Sequence, residues 1–179
     1  LGTKFSQNVL NDTNDLAILV ENESELDGLE AGQIDAAAAA AESRGHKGKW
    51  LITMVNYTGN PALASLTNRD LRERIMKASL SKGGRANDND NRALLLEMVK
   101  LRAKRAHLMG FKSHAEYVLS EQTAGHPDRV HEMLRKIAPA AVANARAVGA
   151  AIQAMIDSEN GNFELASWDW SLFTERVRL

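Results

Sequence analysis

The strongest constraint on this chain is a stripe of apolar residues that begins just after Pro127: Val130, Leu134, Ile137, Ala141, Ala145, Val148, Ile152 and Met155. Steps of three and four residues return to the same side of an α-helix, whereas a strand would need steps of two. The stripe predicts one long amphipathic helix over 127–157, with Pro127 in the first turn, where its missing N–H is not needed. It keeps its phase across Pro139 and Gly149. Proline removes one backbone hydrogen bond and crowds the preceding turn, so a kink near Ile137–Pro139 is expected rather than two separate helices.

Similar punctuation marks further helices. Thr67 as N-cap, Asp70 in the first turn, Leu71, Ile75 and Met76 on one side and Gly83-Gly84 as the stop predict a helix over 67–82. Asn89 or Asp90 caps the next, over 90–109, where Leu94, Met98, Leu101 and Leu108 share a narrow arc and Gly110 ends it. Ser113-His114-Ala115-Glu116 fits a capping box and opens a helix over 113–123. Leu172, Phe173 and Val177 give an apolar face to a last helix over 169–179.

The first third is mixed. Leu16–Val20 and Trp50–Val55 are short apolar runs rich in β-branched or aromatic residues, read as strands over 16–20 and 50–55. Between them, Ser24 as a possible cap, six alanines from Ala36 to Ala41 and Gly45 as the stop predict a helix over 30–44. Leu1, Phe5 and Val9 recur every four residues, as though a helix were entered partway along. The expected fold is mainly α: a single multi-helix, bundle-like segment with a small two-stranded β element near the N-terminal third.

With 179 residues, 44% of them apolar, the chain can build one domain with a core. It has no cysteine, which excludes disulfides, thiolate metal sites and a cysteine nucleophile. Its apolar runs are too short to cross a bilayer and its first residues do not read as a signal peptide, so no membrane partner and a cytoplasmic location are expected. Charge is uneven: residues 61–120 carry six acids against twelve bases. Lys100, Arg102, Lys104 and Arg105 nevertheless point in widely different helical directions, and Phe111 is the lone aromatic of that third before Tyr117. A nucleic-acid surface would gather its bases on one face with aromatics for stacking, so no nucleic-acid partner is expected.

Arg105 is the residue that stands out as a site candidate, because it falls inside the apolar arc between Leu101 and Leu108. Either its stem lies on the core while its head reaches water, or the guanidinium is held by a carboxylate or offered to an anionic group of a substrate. The five histidines do not form a metal site. His126 and His131 lie about 140° apart on a helix, where ligands to one ion want spacings of three or four. His107 and His114 are separated by the Gly110 stop, His46 sits in a glycine-flanked turn, and His126 reads as a cap beside Pro127. Neither a phosphate-cradling glycine loop nor a Gly-x-Ser-x-Gly elbow occurs. The residues themselves therefore nominate no catalytic and no metal-binding position.

LRAKRAHLMGFKSHAEYVLSEQTAGHP (101–127) resembles the helical connector of the thimet oligopeptidase and peptidyl-dipeptidase family of zinc metallopeptidases. LGTKFSQNVLNDTN with the following SELDGL, then GKWLITMVNYTGNPALASLTNRDLRERIMKAS, and finally SWDWSLFTERVRL are similar to further family segments in the same order. GKWLITMVNYTGNPALASL is particularly similar to the peptidyl-dipeptidase (dipeptidyl carboxypeptidase) branch, which releases dipeptides from the C-terminus of oligopeptides. The resemblance covers essentially all 179 residues. It implies a parent enzyme with two largely helical lobes around a deep channel, and zinc on a His-Glu-x-x-His helix.

No His-Glu-x-x-His occurs in this chain. The resemblance thus implies a non-catalytic scaffold segment excised from a larger metallopeptidase, with zinc ligands and general base beyond Leu179. Under it Arg105, Trp168 and Trp170 are junction and core residues rather than peptide contacts. The alternatives are a self-contained helical interaction module and a complete enzyme with an unrecognised site. An excised piece would expose apolar surface, so self-association is expected through the Leu1–Phe5 face or the Phe173–Val177 face.

Overall fold

A computed structural model describes residues 1–55, 60–159 and 161–178. Helix α1 (Gly2–Asp15) leads into strand β1 (Ala17–Val20), a 3₁₀ turn (Glu23–Leu26), α2 (Ala31–Ser43) and β2 (Trp50–Thr53). After a second 3₁₀ turn (Pro61–Ala64) come α3 (Arg69–Leu80), α4 (Arg92–Leu108), α5 (His114–Leu119), α6 (Pro127–Ser158) and α7 (Trp170–Arg178). The protein is mainly helical, with one small sheet near its N-terminus. Leu179, the last residue of the helix expected over 169–179, lies outside the described residues.

The two strands pair antiparallel, with Ala17 opposite Thr53 and Val20 opposite Trp50. A two-stranded sheet is marginal alone and needs a covered face. Here Val20, Ile52 and Met54 join Leu16, Leu26, Leu63, Leu66, Leu71 and Ile75 in the main core. On α2 the alanines that become buried are Ala37 and Ala41, one turn apart, and the helix packs on β2. Small side chains let the helix approach closely, which is what the alanine run contributes.

Local punctuation differs from expectation where two residues compete for one role. Asn68 rather than Thr67 caps α3, its Oδ1 accepting from Leu71 N–H at 3.0 Å. Thr67 is committed elsewhere: its hydroxyl donates to Asp27 Oδ2 at 2.7 Å and its N–H to Asp27 O at 3.0 Å. Ser24 falls inside the first 3₁₀ turn, and Glu30 occupies the cap of α2, its N–H donating to Gln33 Oε1 at 3.0 Å. On α5, Ser113 Oγ accepts from Glu116 N–H at 3.1 Å, but Glu116 reaches back to Lys112 N–H at 3.0 Å, one residue before the cap. That helix ends at Leu119, short of 123.

His126 caps α6 through Nδ1, which accepts from Asp128 N–H at 3.2 Å, and Pro127 follows in the first turn. The helix then runs unbroken for 32 residues through Pro139. Its Ile152 and Ile156 are fully buried against Leu172 and Phe173 of α7, forming a second core. The expected Phe173–Val177 face is consequently not open at Phe173, which is 5% exposed. α1 differs too: it buries the polar pair Asn8 and Asp12, while Leu1 remains exposed.

The arc on α4 is the clearest departure. Leu94 and Met98 are half-buried, but Leu101 and Leu108 are exposed, and Ala106 is the fully buried residue of that helix. Periodicity identifies the face that a partner would cover; among the described residues α4 meets chiefly α1 and α5, and neither covers that end of the stripe.

Candidate functional site

The most elaborate polar arrangement joins α3 to the start of α7. Arg69 and Arg72 are three residues apart on α3 and so share one side of it. Both reach Asp169, whose side chain is fully buried. Arg72 Nη2 donates to Asp169 Oδ1 at 2.6 Å, while Arg69 Nε donates to Oδ1 at 3.1 Å and its Nη2 to Oδ2 at 3.0 Å. Ala166 N–H adds a fourth donor, to Oδ2 at 3.0 Å. The other donors of Arg72 go to the carbonyls of Leu66 and Thr67, each at 2.9 Å, and of Trp168 at 3.1 Å. Arg69 also lies 4.3 Å above the Phe163 ring.

Burial raises the pKa of a carboxyl group, but at Asp169 the hydrogen bonds from Arg69, Arg72 and Ala166 and the charge of Arg69 outweigh it, holding the group below its ordinary range.

A second hub fixes α1 to the loop before α4. Asp12, also buried, accepts from Gly83 N–H at 2.7 Å, Asn87 Nδ2 at 3.0 Å, Asn89 Nδ2 at 3.2 Å and Arg85 Nη1 at 3.3 Å. Beside it Asn8 Nδ2 donates to Asn91 Oδ1, and Asn91 Nδ2 to the carbonyl of Phe5, both at 2.9 Å. Burial opposes ionisation of Asp12, yet the donors of Asn87, Gly83 and Asn89 and the charge of Arg85 pull its pKa below the usual carboxylate value. Asp90 is likewise lowered, first by the side chain of Arg92 and then by its backbone N–H.

These carboxylates are poor proton acceptors near neutral pH. A general base is tuned the other way, upward toward the working pH. Asp169 and Asp12 anchor distant parts of the chain through these bonds, and the sequence signals for Asp169 were available: arginines three apart on α3, and an Asp between two tryptophans. The Asp12 hub was harder to foresee, since its donors lie more than 70 residues away.

Arg105 is exposed, with its guanidinium 5.0 Å from the Tyr117 ring, and Tyr117 stacks edge-on against Phe111 at 5.4 Å. The histidines stay apart in function: His126 is the α6 cap, His107 Nε2 lies 3.0 Å from Lys112 O, and His46 and His131 are exposed. Among the described residues no group of three or more His, Asp or Glu is arranged to hold a metal ion. The described residues therefore offer no ligand set that fits zinc. A cavity of about 230 Å³ lies beside β2, lined by Gly32, Gln33, Ala36, Ile52 and Asn60 among others. Two of its polar side chains bond within the chain: Gln33 Oε1 accepts from Glu30 N–H, and Asn60 accepts from Ala62 N–H and donates to Met54 Sδ. Among the described residues no helix is long and apolar enough to cross a membrane.

Two buried carboxylates, Asp12 and Asp169, that tie distant segments together, with no reactive constellation among the described residues, define a helical protein whose polar groups join its elements. The model of peptidase family M3 matches residues 62–179, and the chain belongs to that family. It is similar to dipeptidyl carboxypeptidase of Escherichia coli (strain K12), 35% identical over 178 residues, covering 99% of this chain and 26% of the relative. It is also similar to oligopeptidase A of Haemophilus influenzae, 32% identical over 183 residues, and to an organellar oligopeptidase A of Arabidopsis thaliana, 31% identical over 192 residues. These cover 99% of this chain and 27% and 23% of the respective relatives. The chain thus spans about a quarter of the length of the curated relatives it matches.

Proposed function

We propose that this chain is part of the helical framework of a zinc-dependent peptidyl-dipeptidase that removes dipeptides from the C-terminus of oligopeptides, and that it contributes no catalytic residue itself. The observation that supports this most directly is the 35% identity to a dipeptidyl carboxypeptidase across 178 residues, in a span whose described residues bring no metal-binding cluster together. Zinc, which would supply Lewis-acid chemistry, belongs in this reading to residues outside the span. The partner is an oligopeptide, and the setting is the cytoplasm, without nucleic acid or membrane.

In this reading Arg105 steadies the α4–α5 corner through Tyr117 rather than meeting substrate. The guanidinium face over an aromatic ring is a contact that lysine would reproduce poorly.

Incubating the chain with zinc and an oligopeptide tests the framework reading, and no dipeptide release is expected. Release would overturn it. Replacing the matching span of the Escherichia coli relative by this chain gives the positive arm: a folded chimera with peptidyl-dipeptidase activity supports the proposal, and a folded but inert one counts against it.

A further inference from the structure

On α6 the apolar stripe does not stop where α7 stops covering it. Taking Ile152 as zero at 100° per residue, Leu134, Ile137, Ala141, Ala145, Val148 and Ile156 fall within an arc about 100° wide. Ile152 and Ile156 are fully buried beneath Leu172 and Phe173. Val148 is half-buried at the margin, and every residue from 131 to 147 is exposed, including Leu134 at 45% and Ile137 at 54%.

The charged residues of the helix lie away from this arc: Glu132 and Lys136 pair with each other at 2.8 Å on the opposite side. A charge-free stripe that is core at one end and open at the other is a continuation of an existing interface. Ala141 and Ala145 at its centre leave room for close approach, as helix-on-helix packing at 8–10 Å requires.

We propose that the stretch Leu134–Val148 of α6 seats a second helix, lying in line with α7 and supplied in cis by the part of an M3 peptidase chain outside the span matched here. The relatives place most of their length there, since this span accounts for 26% of the Escherichia coli relative and 23% of an Arabidopsis one. The inference rests on membership of family M3 and not on the catalytic assignment.

The chain has no cysteine, so introduced thiols report local cover. In the full-length chimera described above, maleimide labelling is read at Leu134→Cys, at Ile152→Cys as the covered reference and at Lys136→Cys as the open one. Leu134→Cys is expected to label as slowly as Ile152→Cys, on the order of a hundredfold below Lys136→Cys. Labelling at the Lys136→Cys rate while Ile152→Cys stays protected would overturn the proposal. So would protection of Leu134→Cys that appears in the 179-residue chain alone, grows with its concentration and is missing from the chimera, which would make a second copy the occupant. If Ile152→Cys labels freely in the chimera, the aligned positions of the Escherichia coli relative itself are read, with the same two outcomes.

Discussion

Arg72 and Asp169, 97 residues apart in sequence, meet at 2.6 Å with both side chains buried. Removing one partner strands the other away from water. Asp169→Ala is expected to cost about 3–5 kcal/mol, because the Arg72 cation remains buried without its carboxylate. Arg69→Ala, whose side chain is 31% exposed, should cost only about 1 kcal/mol. Urea denaturation of the two variants checks the order, and equal losses would contradict the burial argument.

The same carboxylates set the acid limit. Asp169 and Asp12 are held below the ordinary value of 3.8 in the folded chain, so the folded state binds fewer protons than the unfolded one as pH falls past that value. Their stabilisation is complete above the unfolded pKa and is lost as pH drops through the lowered folded values. Thermal melts between pH 7 and 2 should show Tm falling steeply only below about pH 4. Asp169→Asn should flatten that fall, and an unchanged profile would refute the assignment.

Gly28 and Gly45 both have positive φ, at 91° and 83°, but differ in surroundings. A Cβ on Gly28 would lie 2.0 Å from Ser65 O, in the turn where Thr67 bonds to Asp27, whereas one on Gly45 meets nothing within 4 Å. Gly28→Ala is expected to cost about 3 kcal/mol, as backbone must move as well as strain be accepted. Gly45→Ala should cost about 1 kcal/mol. Paired Tm measurements decide, with a Gly28→Ala variant as stable as Gly45→Ala being the contrary result.

Truncations should separate the covered stripe from the uncovered ones. Ile152→Ala removes a fully buried side chain and should cost about 2–5 kcal/mol. Leu108→Ala, at a residue 78% exposed, should stay within about 0.5 kcal/mol in the 179-residue chain. A large loss at Leu108 would mean that this end of α4 is covered in solution.

Periodicity and caps made the helices legible: the stripe from Val130 to Met155, His126 beside Pro127 and Ser113 before Glu116 identify α6 and α5 without reference to any neighbour. The strand pair was equally readable from LAILV and WLITMV. These features are local, and a backbone hydrogen bond or an apolar spacing is written within a few residues. Choices between adjacent candidates were less readable, because Asn68 caps α3 only once Asp27 has claimed Thr67.

The sequence by itself determined the helical architecture, the absence of cysteine chemistry and, through GKWLITMVNYTGNPALASL and its companion segments, the peptidase family. Only the tertiary structure decided which groups hold the chain together. Asp12 and Asp169 are ordinary acids in the sequence, and become buried anchors because folding brings donors from 70 to 100 residues away onto their oxygens. It also decided which half of the α6 stripe is core. Spacing fixes the face a helix turns to its partners, but burial depends on which partner arrives, and α7 reaches Ile152 and Ile156 while leaving Leu134 and Ile137 open.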